Sequence, residues 1–123
     1  MSSHDDNLCA LLREHGLSAG FVVAVDGTTL AQVGDPAATG AGPLSATLLG
    51  SYGDARTTFE SLEGRILPRI WAQGDLFAFV DRPTPGLMVI VFGRGVPSAE
   101  QYDLSQRVAA SIRARWTENE GAR

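Results

Sequence analysis

Gly20-Phe21-Val22-Val23-Ala24-Val25-Asp26-Gly27-Thr28-Thr29-Leu30-Ala31-Gln32-Val33 is the stretch whose reading decides the fold. Asp26-Gly27 between two β-rich runs signals a hairpin, because a two-residue turn there needs positive φ at both central residues. The first arm, Gly20–Val25, is apolar on both faces, so it belongs in the interior of a sheet covered on both sides. The second arm, Thr28–Val33, is more polar and belongs nearer an edge.

Three further strands follow downstream. Arg65–Gln73 contains Pro68, which cannot donate to a ladder, so this strand belongs at an edge or carries a bulge. After a Gly74-Asp75 turn, Leu76–Val80 and Leu87–Phe92 are apolar on both faces and therefore central, with Pro83-Thr84-Pro85-Gly86 as the loop between them. Helices flank the strands. Leu8, Leu11 and Leu12 fall at helical spacing within Asp5–His15, which Ser3 or Asp5 can cap and Gly16 can end in a left-handed conformation. Leu104, Val108, Ile112 and Trp116 form the stripe of a last helix, Ser98–Glu118, and Ser98 and Gln101 have capping-box spacing. The tail, Asn119–Arg123, is polar and expected to fray.

Gly34–Pro43 reads as a loop, and Gly42-Pro43 suits a helix start. A helix over Leu44–Leu62 then carries Leu44, Leu48, Tyr52, Ala55, Phe59 and Leu62 as one apolar stripe facing a sheet. Its opposite face holds Ala46, Gly50, Gly53 and Thr57, all small. Each interior glycine costs a helix about 1 kcal/mol relative to alanine. Close approach of another backbone would offset that cost, so this face is expected to pack on a second helix across a dimer. The order α-β-β-α-β-β-β-α predicts an α/β (α+β type) fold. Its five-stranded, mainly antiparallel sheet has helices on both faces, in one domain over 1–123 with its core over about 5–118.

Composition narrows the function. The 123 residues are 44% hydrophobic, enough for one core and not two. The net charge of −4 offers no basic field for nucleic acid. All ten basic residues are arginine, a bias that fits a GC-rich bacterial genome. The start, Met1-Ser2-Ser3-His4-Asp5-Asp6, lacks a signal-peptide pattern, and the apolar runs Phe21–Val25 and Leu87–Phe92 are too short to span a bilayer. A cytoplasmic protein with no membrane insertion is expected.

Catalytic and metal motifs are not apparent. His4 and His15 sit at opposite ends of one helix and are expected to point in different directions, with no zinc site. His15 reads as a favourable residue at a helix C-terminus. Cys9, the single cysteine, reads as a buried small apolar residue. Gly93-Arg94-Gly95 reads as a tight turn rather than an anion site, since neither phosphate-binding glycine motif is present. Asp26, Asp54, Glu60 and Glu63 form no acid/base pair. No enzymatic activity, cofactor or metal is expected.

From Leu8 to Trp116 the chain resembles the roadblock (dynein light-chain) family. The resemblance rests on Gly20–Thr28, on Leu44-Ser45-Ala46, on Trp71-Ala72-Gln73-Gly74-Asp75, and on Leu87–Phe92 followed by the last helix. It is greatest to the bacterial branch that works with small Ras-like GTPases in motility and cell polarity. It implies a homodimer whose middle helices pack antiparallel and whose third strands join two sheets. That places Ala46, Gly50, Gly53 and Thr57 in the helix contact, and Arg65, Leu67, Arg69 and Trp71 in the strand contact. The partner it implies is a small Ras-like GTPase or a second roadblock protein. Pro68 departs from the pattern by removing a backbone donor at the pairing edge. The alternative reading is a small-molecule sensor of PAS or GAF type, which would need a roomy pocket between sheet and helix. Phe21, Phe77, Phe79, Met88 and Phe92 are expected to be core rather than pocket lining.

Overall fold

The computed structural model describes residues 3–24, 26–35, 68–73 and 75–121. Their elements are α1 (Ser3–His15), β1 (Ala19–Ala24), β2 (Thr29–Val33), β3 (Arg69–Gln73), β4 (Leu76–Thr84), β5 (Leu87–Gly93) and α2 (Ser98–Gly121). The expected middle helix, Leu44–Leu62, lies outside the described residues. The strands form one sheet in the order β2-β1-β5-β4-β3, with every neighbouring pair antiparallel. The strands apolar on both faces are the interior ones. Every residue of β5, the central strand, is buried. The more polar arm and the strand after Pro68 are the two edges.

Alternation along the strands sorts the interior into two clusters. On one face, Val22, Phe77, Phe79, Val89 and Val91 meet Leu8, Leu11 and Leu12 of α1 and Leu104, Val108, Ile112 and Trp116 of α2. On the other, Ala19, Phe21, Val23, Ala78, Val80, Met88, Ile90 and Phe92 cluster, with Trp71 and Leu76 packed against them. Each fully buried large apolar side chain contributes about 1.5–3 kcal/mol. Both helical stripes read from the sequence are the buried ones, and the five residues expected in the core are buried. Gly20 lets α1 lie close to β1, because a Cβ there would meet Leu8 Cδ1 at 2.8 Å. Both described helices lie on the first face of the sheet.

Several local expectations need correction. The β1–β2 turn does not hold two residues at positive φ: Gly27 has φ +93°, whereas Asp26 does not. Ala24 N–H donates to the Thr28 carbonyl at 2.8 Å and Gly27 N–H to the Ala24 carbonyl at 2.9 Å, so the connection is longer than a two-residue turn. The Asp26 carboxylate accepts the Thr28 N–H at 2.9 Å, which holds the turn without a left-handed aspartate. β3 begins after Pro68, so the proline takes no donor from the described strand. β4 continues through Pro83 to Thr84. The register shifts between Asp81 and Thr84, and such a bulge accommodates a proline within a ladder. α2 runs to Gly121 instead of ending at Glu118, and α1 starts at Ser3 rather than Asp5.

Cys9 is exposed, not buried. Leu8, Leu11 and Leu12 set the inward direction of α1, and Cys9 is rotated by about 100° from Leu8. The two histidines are also corrected. Eleven residues is three helical turns, so both lie on the same side of α1 and both bond to α2.

Candidate functional site

Among the described residues, β3 forms one open edge of the sheet. It pairs with β4 from Arg69↔Val80 to Gln73↔Leu76, and alternate residues direct their backbone N–H and C=O groups away from β4. Such a row is a template for another strand. Arg69 and Trp71, two residues apart, share a face. The Arg69 guanidinium carbon lies 5.1 Å from the Trp71 ring centroid, within cation–π range. Both are half-buried, and Trp71 packs on the second apolar cluster. The structure thus places two of the expected interface residues together on an edge strand. Ala46, Gly50, Gly53, Thr57, Arg65 and Leu67 lie outside the described residues.

Two polar groups went unrecognised in the sequence. Asp81, 1% exposed, is gripped by Arg113 of α2: Nε donates to Oδ2 at 3.0 Å and Nη2 to Oδ1 at 3.2 Å. The bidentate pair ties α2 to β4 and satisfies a carboxylate that burial would otherwise penalise. The available signal was the alternation of β4, which continues past Val80 and points Asp81 to the same face as Phe77 and Phe79.

The second group lies where α1 meets α2. His15 Nε2 is 2.9 Å from Ser111 Oγ, and Ser111 Oγ is 3.5 Å from Glu14 Oε2. Arg115 Nη2 donates to Glu14 Oε1 at 3.2 Å. Burial is the main cause that lowers the His15 pKa below its ordinary value; Glu14 opposes it, and Arg107 and Arg115 reinforce it. Burial thus works against the positive charge that would favour a histidine at a helix C-terminus. A serine beside a histidine invites a catalytic reading, but the geometry does not complete one. Glu14 approaches the same ring nitrogen that faces Ser111, at 3.8 Å, instead of orienting the other. Ser111 lies within α2, where the neighbouring backbone N–H groups serve the helix and cannot form an oxyanion hole.

The openings lined by described residues offer little chemistry. A cleft of about 490 Å³ between the end of α1 and β2 is lined by Cys9, Leu12, Arg13, Leu17 and Val33. It lies beside the helix-to-sheet core, not within it. Among the described residues, no three His, Cys, Asp or Glu side chains group closely enough to hold a metal ion. No described helix is long and apolar enough to cross a membrane.

The antiparallel sheet of order β2-β1-β5-β4-β3, with the described N- and C-terminal helices on one face, has the fold of solved Roadblock/LC7 domains. The gliding protein MglB of Thermus thermophilus is similar with a TM-score of 0.62 and 16% identity, over 94% of this chain and 90% of that one. MglC of Myxococcus xanthus gives 0.62 and 16% over 92% and 98% of the two chains. A Roadblock/LC7 domain from Streptomyces avermitilis gives 0.53 and 19% over 92% and 97%. No family model matches the chain, and no curated protein matches it in sequence. The fold comparisons lend no support to the PAS or GAF reading.

Proposed function

We propose that this chain is a non-catalytic, homodimeric regulator or scaffold of bacterial gliding motility. It binds a small Ras-like GTPase or a second roadblock protein in the cytoplasm. The observation that carries this reading is the open β3 edge with its Arg69–Trp71 pair, on a fold shared with MglB and MglC. An antiparallel β3–β3 pairing would continue the sheet across the dimer, each backbone bond adding about 0.5–1.5 kcal/mol net. Trp71 would supply the desolvated aromatic anchor typical of an interface centre. Ala46, Gly50, Gly53 and Thr57 would supply the helix contact, and Arg65 and Leu67 would extend the strand contact.

Size-exclusion chromatography with light scattering at high micromolar concentration tests the dimer. A dimer is expected, and Trp71→Glu or Gly50→Leu should each shift it towards monomer while circular dichroism stays unchanged. A wild type that is strictly monomeric overturns the reading. A Gly50→Leu variant that stays fully dimeric removes the helix face from the interface. Pull-down from the native host, read by mass spectrometry, should recover a small GTPase or a roadblock protein.

A further inference from the structure

β2 bounds the described sheet on the side opposite β3. It pairs with β1, and among the described residues no strand lies beyond it. Its register on β1 shifts between Val22 and Val23, near the hairpin, and is regular from Val22↔Ala31 to Gly20↔Val33. Alternate residues there direct their backbone N–H and C=O groups outward. Sheet edges are ordinarily blunted by charged side chains or proline. β2, Thr29-Leu30-Ala31-Gln32-Val33, has neither. Leu30, 39% exposed, leaves an apolar side chain on the surface of that edge.

α1 supplies a wall beside it. Cys9, Leu12, Arg13 and Gly16 recur at steps of three and four residues, so they share one helix face. With Leu17 and Val33 they line the cleft of about 490 Å³. Leu17 and Val33 are partly buried against the first apolar cluster, which gives the cleft an apolar floor. At Gly16 a Cβ would meet nothing within 4 Å, so the cleft is open at the helix end. Arg13 is exposed and, among the described residues, forms no ion pair; Glu14, next to it in sequence, meets Arg115 instead. Arg13 alone carries a charge in the lining, so the cleft is positive on a chain whose net charge is −4.

We propose that the groove between α1 and β2 docks an extended, acidic segment of a partner protein, which adds to β2 as a further strand. Its backbone would pair with the outward groups of β2, and its alternate side chains would enter the cleft, apolar ones on Leu12, Leu17 and Val33 and a carboxylate on Arg13. In such strand addition the backbone bonds give affinity and the side-chain pockets give specificity. A small apolar acid would use the cleft and Arg13 but leave the β2 backbone unpaired, whereas a peptide matches both. β2 lies four strands from β3, about 19 Å across the sheet, so the groove stays accessible in a β3-paired dimer and does not depend on that pairing.

The probe is fluorescein-labelled Ser-Leu-Thr-Asp-Thr-Leu-Ser, whose alternation puts leucine and aspartate on one side. Fluorescence anisotropy with the full chain should show saturable binding. Lysine in place of the peptide's aspartate, or Arg13→Glu in the protein, should each weaken it by up to about fivefold, and the two together should restore it. N-methylation of alternate peptide residues should weaken binding about tenfold in one register and leave it unchanged in the other. Cys9, the single cysteine, is exposed and lines the cleft. Its reaction with N-ethylmaleimide should slow about tenfold at a peptide concentration about ten times Kd. Trp71→Glu, on the opposite edge, should change none of these results. No binding up to about 1 mM peptide, indifference to N-methylation in both registers, or an unprotected Cys9 each overturns the proposal. Binding lost in Trp71→Glu overturns it by moving the peptide to β3. Protection of Cys9 by dodecanoate but not by peptide, or protection that rises with protein concentration alone, overturns it in favour of a lipid-like acid or a second copy of this chain.

Discussion

Removing the Arg113 guanidinium should cost more than removing the Asp81 carboxylate, although the two share one pair of hydrogen bonds. The reason lies in their exposure: the side chain of Asp81 is 1% exposed and that of Arg113 52%. With Arg113→Met, the aliphatic stem is kept but the carboxylate stays buried without its cation. Breaking a buried pair in this way costs about 3–5 kcal/mol, and water reaching through the half-open arginine site places this case near 3 kcal/mol. With Asp81→Ala, the arginine turns into solvent and keeps its hydration, so the loss is about 1 kcal/mol. At this chain length each kcal/mol shifts Tm by about 4 °C, giving shifts of about 12 °C and 4 °C. The double variant should regain most of the Arg113→Met loss, because no buried charge remains. Urea denaturation of all four proteins at one protein concentration gives the full cycle. An Asp81→Ala variant as unstable as Arg113→Met, or a double variant whose losses simply add, would refute the reasoning.

Two further predictions concern the backbone and pH. Gly16 and Gly34 have similar positive φ, +66° and +77°, but a Cβ at Gly16 meets open space while one at Gly34 runs into the Ser18 carbonyl oxygen and Ala19. Gly16→Ala should cost about 1 kcal/mol, from the left-handed backbone alone. Gly34→Ala should cost about 3 kcal/mol once the clash is added, and equal midpoints in urea would contradict the contact. Because burial lowers the pKa of His15, the unfolded chain binds its proton first as pH falls. Its contribution to stability is therefore complete above the ordinary value of 6.5 and is lost as pH drops from there through the lower folded value. Thermal melts should show this slope in the wild type and a shallower one in His15→Gln.

Periodicity made most of the described fold legible, because burial acts on one side chain at a time. Val22, Met88 and Ile90 sit in runs with no polar face, and a run of that kind has to lie between two covered surfaces. Pro68 marked an edge strand because a missing N–H is tolerated there. The candidate interface was legible only through the resemblance and the spacing of small residues; of that set, Arg69 and Trp71 are placed by the structure on the open edge.

Three features depended on tertiary structure. Cys9 became exposed because the direction of α1 is set by all three of its leucines against the sheet, not by the two neighbours of the cysteine. The Asp26-Gly27 turn took a longer loop because the Asp26 carboxylate could satisfy the Thr28 N–H without a strained aspartate. The polar ties Asp81–Arg113, His4–Trp116 and His15–Ser111 join residues separated by 32, 112 and 96 positions. Local pattern reports which way a side chain faces, and so it determined the strands, the described helices and the core by itself. The identity of the group waiting across a gap depends on how whole elements are laid against one another, and only the folded sheet and its helices decided that.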